Sequence, residues 1–323
     1  MTAGSPVIEP NSVPDTPVDT LAAFGIEVPW RVLGFSKRDR HVPEIDEGFR
    51  FDPEVTKSVL LGFSYDRRVY IHGPHGSGKT SHIEQVAAHL NWPCLRINLD
   101  GHVTRADLIG RDMVTVRNER QVTEFVPGLL VWSVQNPVAL VLDEYDAGIP
   151  EVMFVIQRLL ESQGRLTLLD QNEVILPNPG FRLFATANTA GQGDSSGLYI
   201  GTQAINQAQM DRWQCIVKLD YLAEDTEVRI LKKRLPDIPI DLIRNMVKFA
   251  NFCREAYYQA DISTLLSLRT LITWGQNYLV LKNVAEAFRF AFFNRLDSDE
   301  QTLLKELFQR CFNAELINEK IDS

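Results

Sequence analysis

Lys79 and Thr80 close the run Gly73-Pro74-His75-Gly76-Ser77-Gly78-Lys79-Thr80, which satisfies the pattern G-x-x-x-x-G-K-[ST] at every fixed position. The chemistry of such a run is phosphate binding. Its glycines allow a tight turn that aims backbone N–H groups at phosphate oxygens. The lysine adds a point charge at the β- and γ-phosphates, and the threonine hydroxyl serves Mg2+. A helix beginning at the lysine brings the positive end of its dipole to the same place. The run lies between apolar Val69-Tyr70-Ile71 and a stretch where Ile83, Val86, Ala87 and Leu90 recur at helical spacing. Strand, loop and helix thus follow in the order the chemistry needs, and a nucleoside triphosphate, ATP or GTP, is the expected ligand.

A second set of residues would act on that ligand. Val138-Ala139-Leu140-Val141-Leu142 is an apolar strand that ends in Asp143 and Glu144. Ligands of parallel sheets sit beside the carboxyl ends of the strands, so Asp143 would reach Mg2+ directly or through water. Glu144 would act as general base on the attacking water, and a paired Asp-Glu favours hydrolysis over nucleotide storage. Asn188 ends another apolar strand, Phe181 to Ala187; it is either a turn-forming residue or an amide that orients the water. Arg212 is a surface arginine, an ion-pair partner of Asp211, or an arginine finger that reaches a neighbouring subunit's ATP. Arg269 opens a helical segment and is either solvated there or a second phosphate sensor.

The elements that must position these groups alternate from residue 51 to 220. Leu95 to Leu99 alternates as a strand does, and the unbroken apolar run at 138–142 is the mark of a central parallel strand covered on both faces. Val152 to Leu160 reads as a buried helix. After residue 221 strand signals fade and segments such as 241–258 and 281–293 have helical period. The expected architecture is α/β: a three-layer α/β/α domain with a parallel sheet over 51–220, then an α-helical lid over 221–323. Residues 1–20 carry Pro6, Pro10, Pro14 and Pro17 and no aromatic side chain, which reads as a flexible tail. Residues 21–50 bring in Phe24, Ile26, Val28, Trp30 and Phe35, an accessory segment suited to docking.

The 323 residues are 45% hydrophobic and 23% charged, enough for one sizeable core and a second smaller one. A net charge of −9 argues against a nucleic-acid partner. Cys94, Cys215, Cys253 and Cys311 are scattered, with no C-x-x-C pair, and read as small apolar fillers. No apolar run approaches ~18 residues and the N-terminus lacks a signal pattern. No membrane contact and a cytoplasmic location are expected.

The order of these elements resembles that of AAA+ P-loop ATPases: phosphate loop, Asp-Glu strand, sensor asparagine, finger arginine and lid arginine. Residues 101–136, between the second strand and the Asp-Glu strand, resemble the extra β-hairpin of the branch that holds MoxR-type proteins and magnesium chelatase. A closer likeness, over residues 24–323, is to the ATPase-subunit family of aerobic cobaltochelatases (CobS). It is carried by Ser81 through Cys94, Asp143 through Gly148, Val152 through Arg158, Leu166 through Gln171 and Phe181 through Thr189. Gly193-Asp194-Ser195-Ser196-Gly197-Leu198-Tyr199, Gly201-Thr202-Gln203 and Ile205-Asn206-Gln207 add the blocks most specific to that family. Ser195-Ser196 stand where the family more often has threonines.

The resemblance implies Lys79, Thr80, Asp143 and Glu144 as phosphate, Mg2+ and hydrolysis residues. It implies Asn188 as first sensor, Arg212 as a finger acting across a subunit boundary, and Arg269 as second sensor. It further implies a homo-oligomeric, hexameric ring. That ring works with a subunit bearing an integrin-like domain (CobT-like) and a large porphyrinoid-binding subunit (CobN-like). The reaction would insert Co2+ into hydrogenobyrinic acid a,c-diamide in cobalamin biosynthesis at the expense of ATP. Nothing in the residues themselves looks equipped to chelate cobalt, so the expected role is a motor. Two other readings share the nucleotide residues: a MoxR-like remodelling chaperone of another metal enzyme, and a nucleic-acid motor. The acidic balance disfavours the second.

Overall fold

The computed structural model describes residues 12–117, 120–161, 163–193, 202–314 and 316. Of the family-specific blocks between 193 and 207, residues 194–201 therefore lie outside the described residues. The chain forms two compact units. The first comprises 1–46, 51–73 and 78–219, and the second comprises 47–50, 74–77 and 220–323.

The first unit is built on five parallel strands: β1 (Val69–His72), β2 (Cys94–Asn98), β3 (Ala139–Asp143), β4 (Arg182–Ala187) and β5 (Cys215–Lys218), in the order β5-β1-β4-β3-β2. Their composition follows from two-sided burial. Tyr70, Leu140, Leu142, Leu183 and Ala185 pack into one core, while Val69, Ile71, Ala139, Val141 and Phe184 pack into the other. Alternate residues of one strand thus serve opposite faces, and an apolar run is the only pattern that satisfies both. Helices Pro53–Tyr65 and Lys79–His89 contribute Val59, Leu60, Phe63, Ile83 and Val86 to the second core. Helix Pro150–Gln157, continued by a 3-10 turn at Arg158–Leu160, contributes Val152, Ile156 and Leu159 to the first.

Within 101–136 the structure places a helix at Arg105–Ile109, an antiparallel pair Gly110–Arg117 with Arg120–Pro127, and a helix at Leu129–Gln135. The hairpin therefore occupies only the middle of the segment.

The tail expected to run to residue 20 is corrected at its inner end. Thr16–Pro17 pairs antiparallel with Leu33–Gly34, and a short helix starts at Thr20. The reason is polar as well as apolar: the Asp15 carboxylate accepts from the Ser36 N–H (3.0 Å) and hydroxyl (2.8 Å), and Val18 N–H donates to Val32 O at 3.0 Å. Proline content alone cannot report such long-range partners. The segment docks on the first unit through Phe24, Val32 and Phe35, with Phe35 against Trp92 at 4.8 Å between ring centroids.

The second unit is helical from Glu224 to Phe312, its longest helix being Ile240–Tyr258. Leu268–Leu281, Val284–Ala291 and Ser298–Phe312 complete the bundle, so the helical period read over 281–293 belongs to a helix that starts at Val284, after a left-handed Lys282. Phe249, Trp274, Phe288 and Phe308 form its aromatic centre, with Trp274 and Phe288 at 4.8 Å and Phe249 and Phe288 edge-to-face at 5.0 Å. No helix among the described residues is long and apolar enough to cross a membrane.

Candidate functional site

Parallel register brings the ends of four strands together. Ala187 pairs with His72, and Asp143 pairs with Asn98, so Gly73, Asn188 and Glu144 all leave the sheet at the same edge. Gly73 N–H donates to Ala187 O at 3.2 Å. Gly73 has φ of 149°, and a Cβ there would overlap the Leu219 carbonyl, so only glycine fits. Pro74, His75, Gly76 and Ser77 lead to Gly78, which precedes helix Lys79–His89 and gives it no side-chain cap. The first N–H groups of that helix point toward the loop, at the positive end of its dipole.

Lys79 is buried and donates from Nζ to Gly73 O (2.8 Å) and Asn188 Oδ1 (3.2 Å). Burial pulls its pKa down to about 8, although Asp143, Asp146 and Glu144 oppose the change. Burial thus makes the charged form costly, and an anion brought beside Lys79 would favour it.

Asp143, at the tip of β3, gathers three partners. Thr80 donates its hydroxyl to Oδ1 at 2.7 Å, the Thr186 hydroxyl donates to the same oxygen, and the Arg96 guanidinium pairs with Oδ2. A hydroxyl beside a carboxylate is the all-oxygen donor set that Mg2+ prefers. Ser77 Oγ is buried without a hydrogen-bond partner among the described residues, a polar atom left for a ligand of the loop. The residues present thus fit Mg2+ with a nucleotide.

Glu144 follows with φ 55° and ψ 44°, a left-handed conformation that a non-glycine residue adopts at a cost of about 1–2 kcal/mol. It starts the 3-10 turn Tyr145–Ala147, so the strain sits where the second carboxylate must leave the strand. Asn188 is fixed through its backbone: its N–H donates to Asp146 Oδ2 at 3.0 Å. The same oxygen takes the N–H and the hydroxyl of Thr189, each at 2.9 Å.

Two contacts, Lys79 with Asn188 and Thr80 with Asp143, thus meet at neighbouring strand ends, with Glu144 adjacent in the chain. Arg212 is not among their contacts. It donates to Ala208 O and lies 3.4 Å from Glu161, so the ion pair with Asp211 considered from sequence gives way to one with Glu161. Arg269 is the second residue of helix Leu268–Leu281 and is exposed, without a hydrogen bond or ion pair from its side chain among the described residues. A cation in a helix's first turn opposes the dipole, so local helix stability does not account for its position. Arg96, Asp146 and Thr186 escape a reading by motif. Arg96 looks like a solvent-facing residue of an alternating strand, and Asp146 and Thr186 find their partners more than forty residues away.

Residues 68–199 match the family described as AAA domain (dynein-related subfamily), and residues 9–42 match Cobaltochelatase CobS subunit N terminal. The aerobic cobaltochelatase subunit CobS of a Sinorhizobium species is 52% identical over 310 residues, 95% of this chain and 93% of that protein. This chain belongs to the CobS family. It is a AAA ATPase subunit of a cobaltochelatase, which works in a complex with other subunits, and nucleotide binding follows from the AAA fold. Midasin of Dictyostelium discoideum is 28% identical over 261 residues, 79% of this CobS-family chain but 4% of midasin. A solved structure of Thermotoga maritima RuvB has a TM-score of 0.48 and 15% identity, over 80% of this chain and 75% of that one.

Proposed function

We propose that this subunit binds ATP with Mg2+ at residues 73–80 and Asp143 and hydrolyses it. The energy would drive insertion of Co2+ into hydrogenobyrinic acid a,c-diamide in cobalamin biosynthesis. The observation that supports this most directly is the meeting of Lys79, Thr80, Asp143 and Asn188 at one strand edge of a CobS-family chain.

In this reading the loop N–H groups and Lys79 hold the β- and γ-phosphates, and Thr80 and Asp143 hold Mg2+. The ion, when bound, offsets charge that builds on the phosphate oxygens. Arg96 and Thr186 keep the Asp143 carboxylate in place. Glu144 takes a proton from the attacking water, and Asn188, aligned by Asp146, orients that water. Arg212 reaches the ATP of the next subunit in a hexameric ring, and Arg269 senses phosphate from the helical unit. Cobalt and the corrinoid are substrates handled by the CobN-like subunit, with the CobT-like subunit between motor and chelatase.

Glu144→Gln tests the chemistry. The variant should bind ATP as wild type does while steady-state hydrolysis falls about 10²- to 10⁴-fold. The same variant, loaded with ATP, should pull down the two partner subunits, and wild type should support ATP-dependent cobalt insertion on reconstitution. Capture of an unrelated metal enzyme instead would favour a remodelling chaperone. Arg212→Ala should leave ATP affinity nearly intact and lower hydrolysis by about 10³-fold or more in the assembled protein. Unchanged turnover would remove Arg212 from the site.

A further inference from the structure

The second unit holds the middle of the phosphate loop, Pro74–Ser77, together with the helices after residue 220. Within it, the Tyr221 hydroxyl donates to His75 O at 2.6 Å. The ring of Tyr221 lies under the Arg254 guanidinium, 4.1 Å from the ring centroid to Cζ. Arg254 in turn donates from Nη1 to Glu227 Oε2 (2.9 Å) and Asn251 Oδ1 (3.1 Å), and from Nε to Leu266 O (3.0 Å). Arg254 and Glu227 are 4% and 1% exposed.

Two features of this arrangement exceed what packing needs. Burying an arginine and a glutamate together is no route to stability, because desolvation offsets most of their attraction. The group is also aimed. Ser267, next to the Leu266 carbonyl that Arg254 holds, sits against Gly76, where an added Cβ would come within 2.5 Å of the serine Cβ. The loop's centre is thereby fixed from two sides, by a hydrogen bond at residue 75 and by contact at residue 76. Gly76 has φ of 75°, which suits it to the turn that this close approach demands.

The peptide joining residues 75 and 76 is planar and trans, so anchoring the His75 carbonyl turns the Gly76 N–H to the opposite side. Phosphate loops work through such N–H groups. We propose that Tyr221, Arg254 and Glu227 are positioning residues that set the orientation of this peptide for nucleotide binding. Glu227 orients Arg254, Arg254 orients the tyrosine ring, and the tyrosine hydroxyl holds the loop. The proposal rests on residues 73–80 being the nucleotide site.

The test measures the affinity of the full-length protein for a fluorescent ATP analogue and its thermal midpoint, in four variants. Tyr221→Phe removes only a hydroxyl. It should weaken binding about two- to tenfold, the range of one neutral hydrogen bond, at an unchanged midpoint. Arg254→Lys keeps the charge but loses the planar stack. It should weaken binding similarly, and the double variant should be no weaker than the weaker single one. Tyr221→Phe with wild-type affinity, beside a Lys79→Ala variant that fails to bind, would overturn the proposal and leave the nucleotide site standing. Additive losses in the double variant would also overturn it. Wild-type affinity in Lys79→Ala would instead sink the nucleotide-site reading.

Discussion

Lys79 and Arg254 are both buried cations, one in the sheet unit and one in the helical unit, and they are treated in opposite ways. Lys79 donates to Gly73 O and Asn188 Oδ1 among its contacts, and burial outweighs the pull of nearby carboxylates on its pKa. Arg254 is given a carboxylate at 2.9 Å, a carbonyl at 3.0 Å and an aromatic face. Lys79 is built as a receptor and Arg254 as a brace. In a receptor the charged form stays costly until an anion arrives, whereas a brace is held by an ion pair and hydrogen bonds within the fold.

The largest effect should come from breaking the brace. Glu227→Ala removes the carboxylate that buried Arg254 bonds, and should lower the unfolding free energy by about 3–5 kcal/mol in a denaturant titration. Burial pushes the Glu227 carboxyl up and Arg254 holds it down, which is the balance this substitution removes. A loss below 1 kcal/mol would mean that the pair is not what holds that region.

Next comes the receptor, where the two effects should have opposite signs. Lys79→Met should slow ATP hydrolysis by about 10²-fold or more. Without nucleotide the same variant should be at least as stable as wild type, because an ammonium whose charged form burial disfavours has been replaced by an apolar chain of similar length. Destabilisation comparable to that of Glu227→Ala would erase the distinction.

The smallest effect is a fraction of a proton. With a pKa of about 8, Lys79 is half protonated in the free protein at pH 8, whereas an ordinary lysine would be fully charged. ATP favours the charged form, so binding should take up about half a proton at pH 8. The sign follows: affinity falls as pH rises above 8, by up to about tenfold per pH unit, and is flat with respect to this group below pH 7. Calorimetry in buffers of different ionisation enthalpy measures the uptake. No uptake at pH 8 would show that Lys79 does not meet the phosphates.

Much of the receptor was legible in the sequence, because it consists of local patterns. The loop is eight consecutive residues, and Asp143 and Asn188 each sit at the end of an apolar run whose length marks a covered strand. The partners that aim those residues were not legible. Arg96 and Thr186 lie inside strands, where alternation gives the face but not the neighbour across the sheet. The brace left a fainter trace. Arg254 falls on the buried stripe of helix Ile240–Tyr258, one turn after Ala250 and two turns after Val247, where a charge is out of place. A charged residue on an apolar stripe requires a partner, but nothing local says that the partner is Glu227.

The Asp146 carboxylate carries a consequence for how relatives of this chain are sorted. It draws in the backbone of Asn188 and Thr189 from the neighbouring strand while belonging to none of the five motifs. A homologue with alanine at 146 would keep all five motifs, yet its asparagine would hang from an unanchored strand tip. Surveys that separate working from inactive copies should therefore score the tie as well as the motif.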